Sequence, residues 1–344
     1  MRWADVLFGV VFVAPPFLKK MLLRVFLGAR IAPTAHIGWF SSVRGRSLVM
    51  EEHSSIAALT LVRCDGDVRL GRYAEVSSFV LCYGAGGIAL GDHSYVGPQC
   101  LINADDDVRM GHHSALGPRS MVFTHGSFLP VTEGYPVRLA GVTIGDRAWL
   151  AAGVFLHPGV HVGDDVIVNS RAVVAGDIPS GMVAEGSPAR PMFPVERVKR
   201  RMTPARIDEA MRRILARFAD SVLQRSRGLQ VVTEGRDAVR FAERGCAYRI
   251  VYVPAAAPVT EPSPPPGDGR KRLIVLSNAP GWRPAAGADV DFLDLVSGRH
   301  GAPDDPIARE LVEFLRRYWG IRLEHPTPSA GAAEVPRPVL SPTK

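Results

Sequence analysis

The stretch Val142-Thr-Ile-Gly-Asp-Arg-Ala-Trp-Leu-Ala-Ala-Gly-Val-Phe-Leu-His-Pro-Gly-Val-His-Val-Gly-Asp-Asp-Val-Ile-Val-Asn-Ser-Arg-Ala-Val-Val174 decides the fold. Read in sixes from Ile144, its first positions are Ile144, Leu150, Leu156, Val162, Val168 and Val174, without a slip. Smaller residues recur four places on, at Ala148, Val154, Val160, Val166 and Ala172. Neither a helix nor a hairpin has period six. A chain that turns a corner every six residues does, and it points one aliphatic side chain inward per short strand. Three such strands close a triangular coil, and stacked coils bury a continuous aliphatic column.

The same phase runs earlier, through Ile31, Ile37, Val43, Met50, Ile56 and Val62. It restarts at Leu70, Leu90 and Met110, so these coils take 20 residues where three sixes need 18, and each carries two extra residues at one corner. A strand signature accompanies the restarts: Val68-x-Leu70-Gly71, Ile88-x-Leu90-Gly91, Val108-x-Met110-Gly111, Val142-x-Ile144-Gly145 and Val160-x-Val162-Gly163. Its glycines are expected to supply a corner conformation that a Cβ disfavours. About seven coils result, a stack of roughly 34 Å at ~4.8 Å per coil.

Composition sets the class. The 344 residues are 47% hydrophobic and 22% charged, which is globular, and the length suits two domains or one with appendages. A net charge of +7 is modest for this length. No basic motif interleaved with aromatics is present, so nucleic acid is not expected as a partner; anionic lipid or a phosphorylated cofactor fits the charge as well. The four cysteines, Cys64, Cys82, Cys100 and Cys246, form no CxxC pair. Cys82 and Cys100 read as small core residues, and a cytoplasmic, reducing compartment is expected.

Residues 5–14 are an apolar run that stops at Pro15-Pro16, too short to span a bilayer. Phe17, Leu18, Met21, Leu22, Val25 and Phe26 then repeat at helical spacing, with Lys19, Lys20 and Arg24 between them. This reads as an amphipathic helix with two readings: a cap on the open end of the repeat column, or a membrane-interface helix whose basic rim meets lipid headgroups.

Between Val122 and Val142 the phase breaks, and His125 stands at the start of the insert. A long irregular loop in a regular solenoid is usually functional. Imidazole titrates near neutrality, so His125 can accept a proton from an attacking hydroxyl or amine and return it to a leaving thiolate. Asn103-Ala-Asp105-Asp-Asp107 lies one coil earlier, and stacking places this polar turn beside the histidine. Trp149 is an outward-facing indole, which needs a ligand or a neighbour to cover it.

The hexapeptide phase, the histidine at the loop and the closing Gly186-Ser-Pro-Ala-Arg190 together resemble the hexapeptide-repeat acyltransferases, in particular the sugar O-acetyltransferases. The resemblance covers roughly residues 31–192. It implies a mainly β fold, a left-handed parallel β-helix; the handedness rests on the resemblance alone, because parallel crossovers are ordinarily right-handed. It further implies acetyl-CoA as acyl donor, a sugar acceptor in polysaccharide biosynthesis and a homotrimer with its site between subunits. His125 takes the place of the general base, with Ser127 where some relatives have a second histidine. Asn103, Asp105 and Trp149 take acceptor-binding places, and Ala152, Ser170, Ala175 and Arg190 take coenzyme-binding ones. A departure stands at Ala175-Gly176-Asp177-Ile178-Pro179, where relatives often carry a lysine. O-transfer is the principal expectation, and N-acylation of an amino sugar uses the same geometry. Zinc-dependent hydratases also use this fold, with three histidines per site, which makes His93, His112, His113, His157 and His161 alternative candidates for ligands. They read as surface corner residues, and no metal is expected. A non-catalytic membrane scaffold is the remaining alternative.

The expected organisation is thus an N-terminal amphipathic segment (1–30) with peripheral membrane contact, the repeat domain (31–192), a small C-terminal α/β region (193–325) and a disordered tail (326–344). Within the C-terminal region, 203–225 and 304–319 read as amphipathic helices, 248–253 and 272–277 as strands, and 254–269 as a Pro-rich linker.

Overall fold

The computed structural model describes residues 3–126, 129–256, 262–266, 269–284, 290–301 and 305–324. The expected tail at 326–344 and parts of the Pro-rich linker lie outside the described residues, as does Ser127. The chain divides into two units, Met1–Arg200 and Arg201–Lys344.

In the first unit every third strand falls into the same sheet. One sheet stacks Arg30–Ile31, Leu48–Met50, Val68–Leu70, Ile88–Leu90, Val108–Met110, Val142–Ile144 and His161–Val162. The second begins at His36–Ile37 and the third at Ser42–Arg44, each continuing in the same way. The pairing between coils is parallel and in register, as in Val68↔Ile88↔Val108. The inward positions of the six-residue phase are all buried, from Ile31 to Val174. Their stacking makes one aliphatic core that includes Cys64, Cys82 and Cys100, which are free thiols.

The corner glycines act differently from the expectation. Gly71, Gly91, Gly111, Gly145 and Gly163 do not adopt a left-handed backbone. A Cβ on Gly91 would lie 2.7 Å from the Gly111 carbonyl carbon, and one on Gly163 would lie 2.5 Å from Ser180 N. These glycines let one coil rest on the next. The left-handed conformation falls two residues later, on Tyr73, His93, His113, Arg147 and Asp165. A non-glycine residue there costs about 1 kcal/mol, which inter-coil hydrogen bonds offset. His113 N, for example, donates to Asp92 O at 2.8 Å.

The same corner corrects the reading of His93 as a surface residue. Its side chain is buried in a ladder of parallel rings, Tyr73–His93 at 4.8 Å and His93–His113 at 4.9 Å between centroids.

Two helices, α1 (Trp3–Val13) and α2 (Pro16–Leu27), cover the first coil. The basic residues of α2 turn inward. Lys19 is fully buried, and its Nζ donates to Gly38 O at 2.8 Å and Ser41 O at 2.7 Å. Lys20 Nζ donates to Pro33 O at 2.7 Å, and Arg24 bonds Ile31 O. They close carbonyls that the first coil has no preceding coil to satisfy. Of the three, only Arg24 remains exposed, so the expected basic rim is reduced to that residue. No described helix is long and apolar enough to cross a membrane.

The second unit holds a six-stranded sheet whose inner strands Cys246–Val253, Arg270–Ser277 and Val290–Asp294 run parallel. Helices α3 (Pro204–Phe218) and α4 (Pro306–Trp319) supply Met211, Phe218, Leu311 and Leu315 to its larger core. Asp305 caps α4 by accepting from Ile307 N at 2.8 Å and binds the Tyr248 hydroxyl at 2.9 Å.

Candidate active site

The insert leaves the column at the edge where the third sheet turns back to the first. Met121–Phe123 is the last regular strand before it, and Asn103 pairs with Phe123. Thr124 anchors the departure. Its side chain is buried, with Oγ1 donating to Asn103 O at 3.0 Å and accepting from Asp106 N at 3.0 Å. The return is fixed by Ala140 N, which donates to Thr124 O at 2.9 Å, while Gly159 N donates to Ala140 O at 3.0 Å. Between these anchors His125–Gly126 pairs antiparallel with Arg138–Leu139. The loop is thus a short ribbon tied to the column at both ends.

This geometry presents the His125 ring to solvent with 42% of its side chain exposed. Its Nδ1 stands 3.9 Å from Asp105 Oδ2. That is longer than a hydrogen bond. Asp105 Oδ2 in turn accepts from Asn103 Nδ2 at 3.0 Å. Asn103 is buried, and its Oδ1 has no hydrogen-bond partner. A buried, unsatisfied amide oxygen costs about 1–3 kcal/mol. The arrangement is a line, Asn103–Asp105–His125, with an acceptor oxygen at one end and an imidazole at the other. Nδ1 faces the carboxylate, so Nε2 is the nitrogen left to take a proton.

The other candidate residues lie elsewhere on the column. Trp149 is 54% exposed on the second sheet, between Ala115 and Ile167. It does not share the histidine's edge. Ala152 and Ser170 stack one coil apart at the corner between the second and third sheets, where Arg171 N donates to Ala152 O at 2.9 Å. Ala175 is exposed and follows Val174 on the third sheet, at the edge His125 occupies two coils below. Arg190 is exposed on the hairpin Met182–Gly186/Ala189–Pro194, opposite Glu185. Within one chain, then, the structure gathers Asn103, Asp105 and His125, and sets Trp149, Ala152 and Ser170 apart from them.

Two contributors were missed by the sequence reading. Thr124 is one, and its signal was available, since 20-residue stacking places it beside Ala104. The second is the ring group Phe123–Phe155–His157, with centroids 5.3 and 5.0 Å apart, which begins two residues before His125. Among the described residues, no three or more His, Cys, Asp or Glu side chains gather closely enough to hold a metal ion.

Comparison with known proteins bears on the repeat region. Galactoside O-acetyltransferase of Escherichia coli K12 is 39% identical over 49 residues, 14% of this chain and 24% of that protein. WcaF of the same organism, provisionally named a colanic acid biosynthesis acetyltransferase, is 34% identical over 64 residues, 19% of this chain and 35% of that protein. The repeat region is similar to hexapeptide-repeat sugar acetyltransferases. The chain spans about a third or less of the length of these curated relatives. Among solved structures, a maltose O-acetyltransferase from Clostridium difficile 630 is 19% identical, covering 56% of this chain and 84% of that one, with a TM-score of 0.35. No family model matches.

Proposed function

We propose that this protein is an acyl-CoA-dependent acyltransferase, built on a left-handed β-helix, that moves an acetyl group to a sugar hydroxyl. The observation that carries the reading is His125, lifted out of the column beside Asp105, whose carboxylate is held by the buried Asn103. His125 Nε2 takes the acceptor's hydroxyl proton as its oxygen attacks the thioester carbonyl. Collapse of the tetrahedral adduct forms the ester, breaks the carbon–sulfur bond and releases the thiolate, which recovers the proton from the imidazolium. Asp105 is a positioning residue: its carboxylate faces Nδ1 and orients the ring. Asn103 is a second positioning residue, holding the Asp105 carboxylate through its Nδ2.

The coenzyme would lie against Ala152, Ser170 and Ala175, with Arg190 toward its phosphates. Ala152 and Ser170 occupy a different corner from His125, so a complete site needs a second copy of the chain. An association surface is available on the third sheet, where Leu81 and Met121 are 41% and 42% exposed. A homotrimer with its sites between subunits follows from this reading.

The test is thiol release from acetyl-CoA by the full chain, with a panel of sugars and amino sugars. Activity with hydroxyl acceptors, lost in His125→Ala by a factor of ~10²–10⁴ while coenzyme binding persists, is the expected result. Unchanged turnover in His125→Ala overturns the mechanism, and a preference for amino sugars replaces O-transfer by N-transfer.

A further inference from the structure

The helical pair over the first coil has two unlike sides. The inner side is polar where it meets the column, since Lys19, Lys20 and Arg24 all spend their donors on first-coil carbonyls. The outer side is apolar. Val6, Val10 and Val13 on α1 and Phe17, Met21 and Val25 on α2 are each 45–79% exposed and recur at helical spacing. Of the exposed residues between 5 and 28, Arg24 alone is polar. Aromatic rings extend the patch onto the first coil: Trp39 is 52% and Phe40 46% exposed, and the Phe40 ring lies 5.9 Å from Phe12.

Charge is concentrated at the same end. Residues 1–46 hold seven Lys or Arg and one acidic residue, whereas residues 47–200 hold twelve Lys or Arg and sixteen acidic ones. An apolar face at the basic end of an otherwise acidic column complements an anionic lipid leaflet. A protein partner would fit less well. Protein interfaces carry about one hydrogen bond per 100–200 Å², and this face offers almost no donor or acceptor outside the helix backbones, whereas acyl chains ask for none. With 11 and 12 residues, the helices extend about 16–18 Å, which suits lying in the plane of the interface. Trp39 is the type of ring that settles at headgroup level.

We propose that α1 and α2 seat the first-coil end of the column on an anionic lipid surface, with Val6, Val10, Val13, Phe17, Met21 and Val25 entering the acyl boundary. The proposal is independent of acyl transfer, because docking is read without turnover. The test is cosedimentation of the full chain with phosphatidylcholine vesicles and with 3:1 phosphatidylcholine:phosphatidylglycerol vesicles. Binding to the anionic vesicles is expected to exceed binding to the neutral ones by about fivefold or more and to survive in part at 0.5 M NaCl, because the acyl contact is unscreened. The triple variant Phe17→Ser, Met21→Ser, Val25→Ser is expected to lose about tenfold or more in partition at unchanged melting temperature. Wild-type partition in the triple variant overturns the proposal, as does failure of the wild type to bind either vesicle. Self-association of the wild type that the triple variant abolishes, without any vesicle binding, assigns the face to a second copy and also overturns it. Should the triple variant unfold, the single change Val25→Ser with its melting curve carries the same test at smaller amplitude.

Discussion

The corners of this column are built in two ways, and the contrast locates the chemistry. Where the first sheet turns into the second, each coil from the third onward uses the same few residues: a glycine that admits the next coil, then a residue in the left-handed region, as at Gly91 and His93. Where the third sheet turns back to the first, the spacing changes from coil to coil. Cys82 to Leu90 takes eight residues, Val122 to Ile144 takes 22, and Leu156 to Val162 takes six. The first kind of corner is fixed by coil-on-coil backbone bonds and has little freedom to vary. The second is also bonded coil to coil, as where Gly86 N donates to Ala104 O at 2.8 Å, but its length is free to change, and there the chain can place Asp105 through Asp107, Thr124 and the ribbon bearing His125 without disturbing the core. Rigid stacking on two edges is what makes an irregular third edge tolerable.

The largest effect should separate a histidine on the loosened edge from one on a sheet face. His125→Gln is expected to lower turnover by ~10²–10⁴, while His161→Gln, on the exposed face of the first sheet, leaves it unchanged. Equal losses in the two variants, read in a thiol-release assay, would erase the distinction. Next in size, Gly91→Ala should destabilise the fold by about 1–3 kcal/mol in urea unfolding, because its Cβ would lie 2.7 Å from backbone. Gly126→Ala, whose Cβ would meet only Pro158 at 3.5 Å, should stay within about 0.5 kcal/mol. Asp105→Asn keeps the shape of the line to Asn103 but removes the charge facing His125; kcat is expected to fall about tenfold, ~1.4 kcal/mol, with KM and melting temperature unchanged. The smallest effect concerns the capped end. Burial pushes the Lys19 amine down to about 8 from its ordinary 10.5. Between those values the unfolded chain binds the proton and the folded one releases it, so stability should rise with pH from 8 to 10. Lys19→Met should flatten that rise in melting curves recorded across the range.

The column was legible because its signal is a period, and a period survives without knowledge of partners. Ile144 to Val174 could be placed inward one by one, and the 20-residue restarts put the Asn103–Asp107 turn beside His125, in keeping with the pairing of Asn103 with Phe123. The function of the corner glycines was misread because a sequence shows which residue lacks a Cβ, not which neighbour would meet one. For Lys19, Lys20 and Arg24 the spacing marked a helix face that could cap the column or meet headgroups and did not decide between them, because the open carbonyls they bond belong to a coil up to 22 residues away. The ring ladder through His93 was invisible as well, since stacking between coils depends on a left-handed corner that no residue type announces. At the candidate site, His125 and its polar neighbours could be read from the register. Thr124 was passed over because a buried hydroxyl tying down a loop looks like any other threonine.

The repeat also acts as a ruler. His125 belongs to the fifth coil and the helical pair to the first, so roughly 19 Å of column separate them at ~4.8 Å per step. That offset is quantised: removing one whole turn between Met50 and Met110 would lower the imidazole by one step and leave its surroundings alike. The reach of this protein from whatever surface holds its base is therefore set by how many times a twenty-residue phrase is repeated, a quantity that evolution can edit without touching a single reactive group.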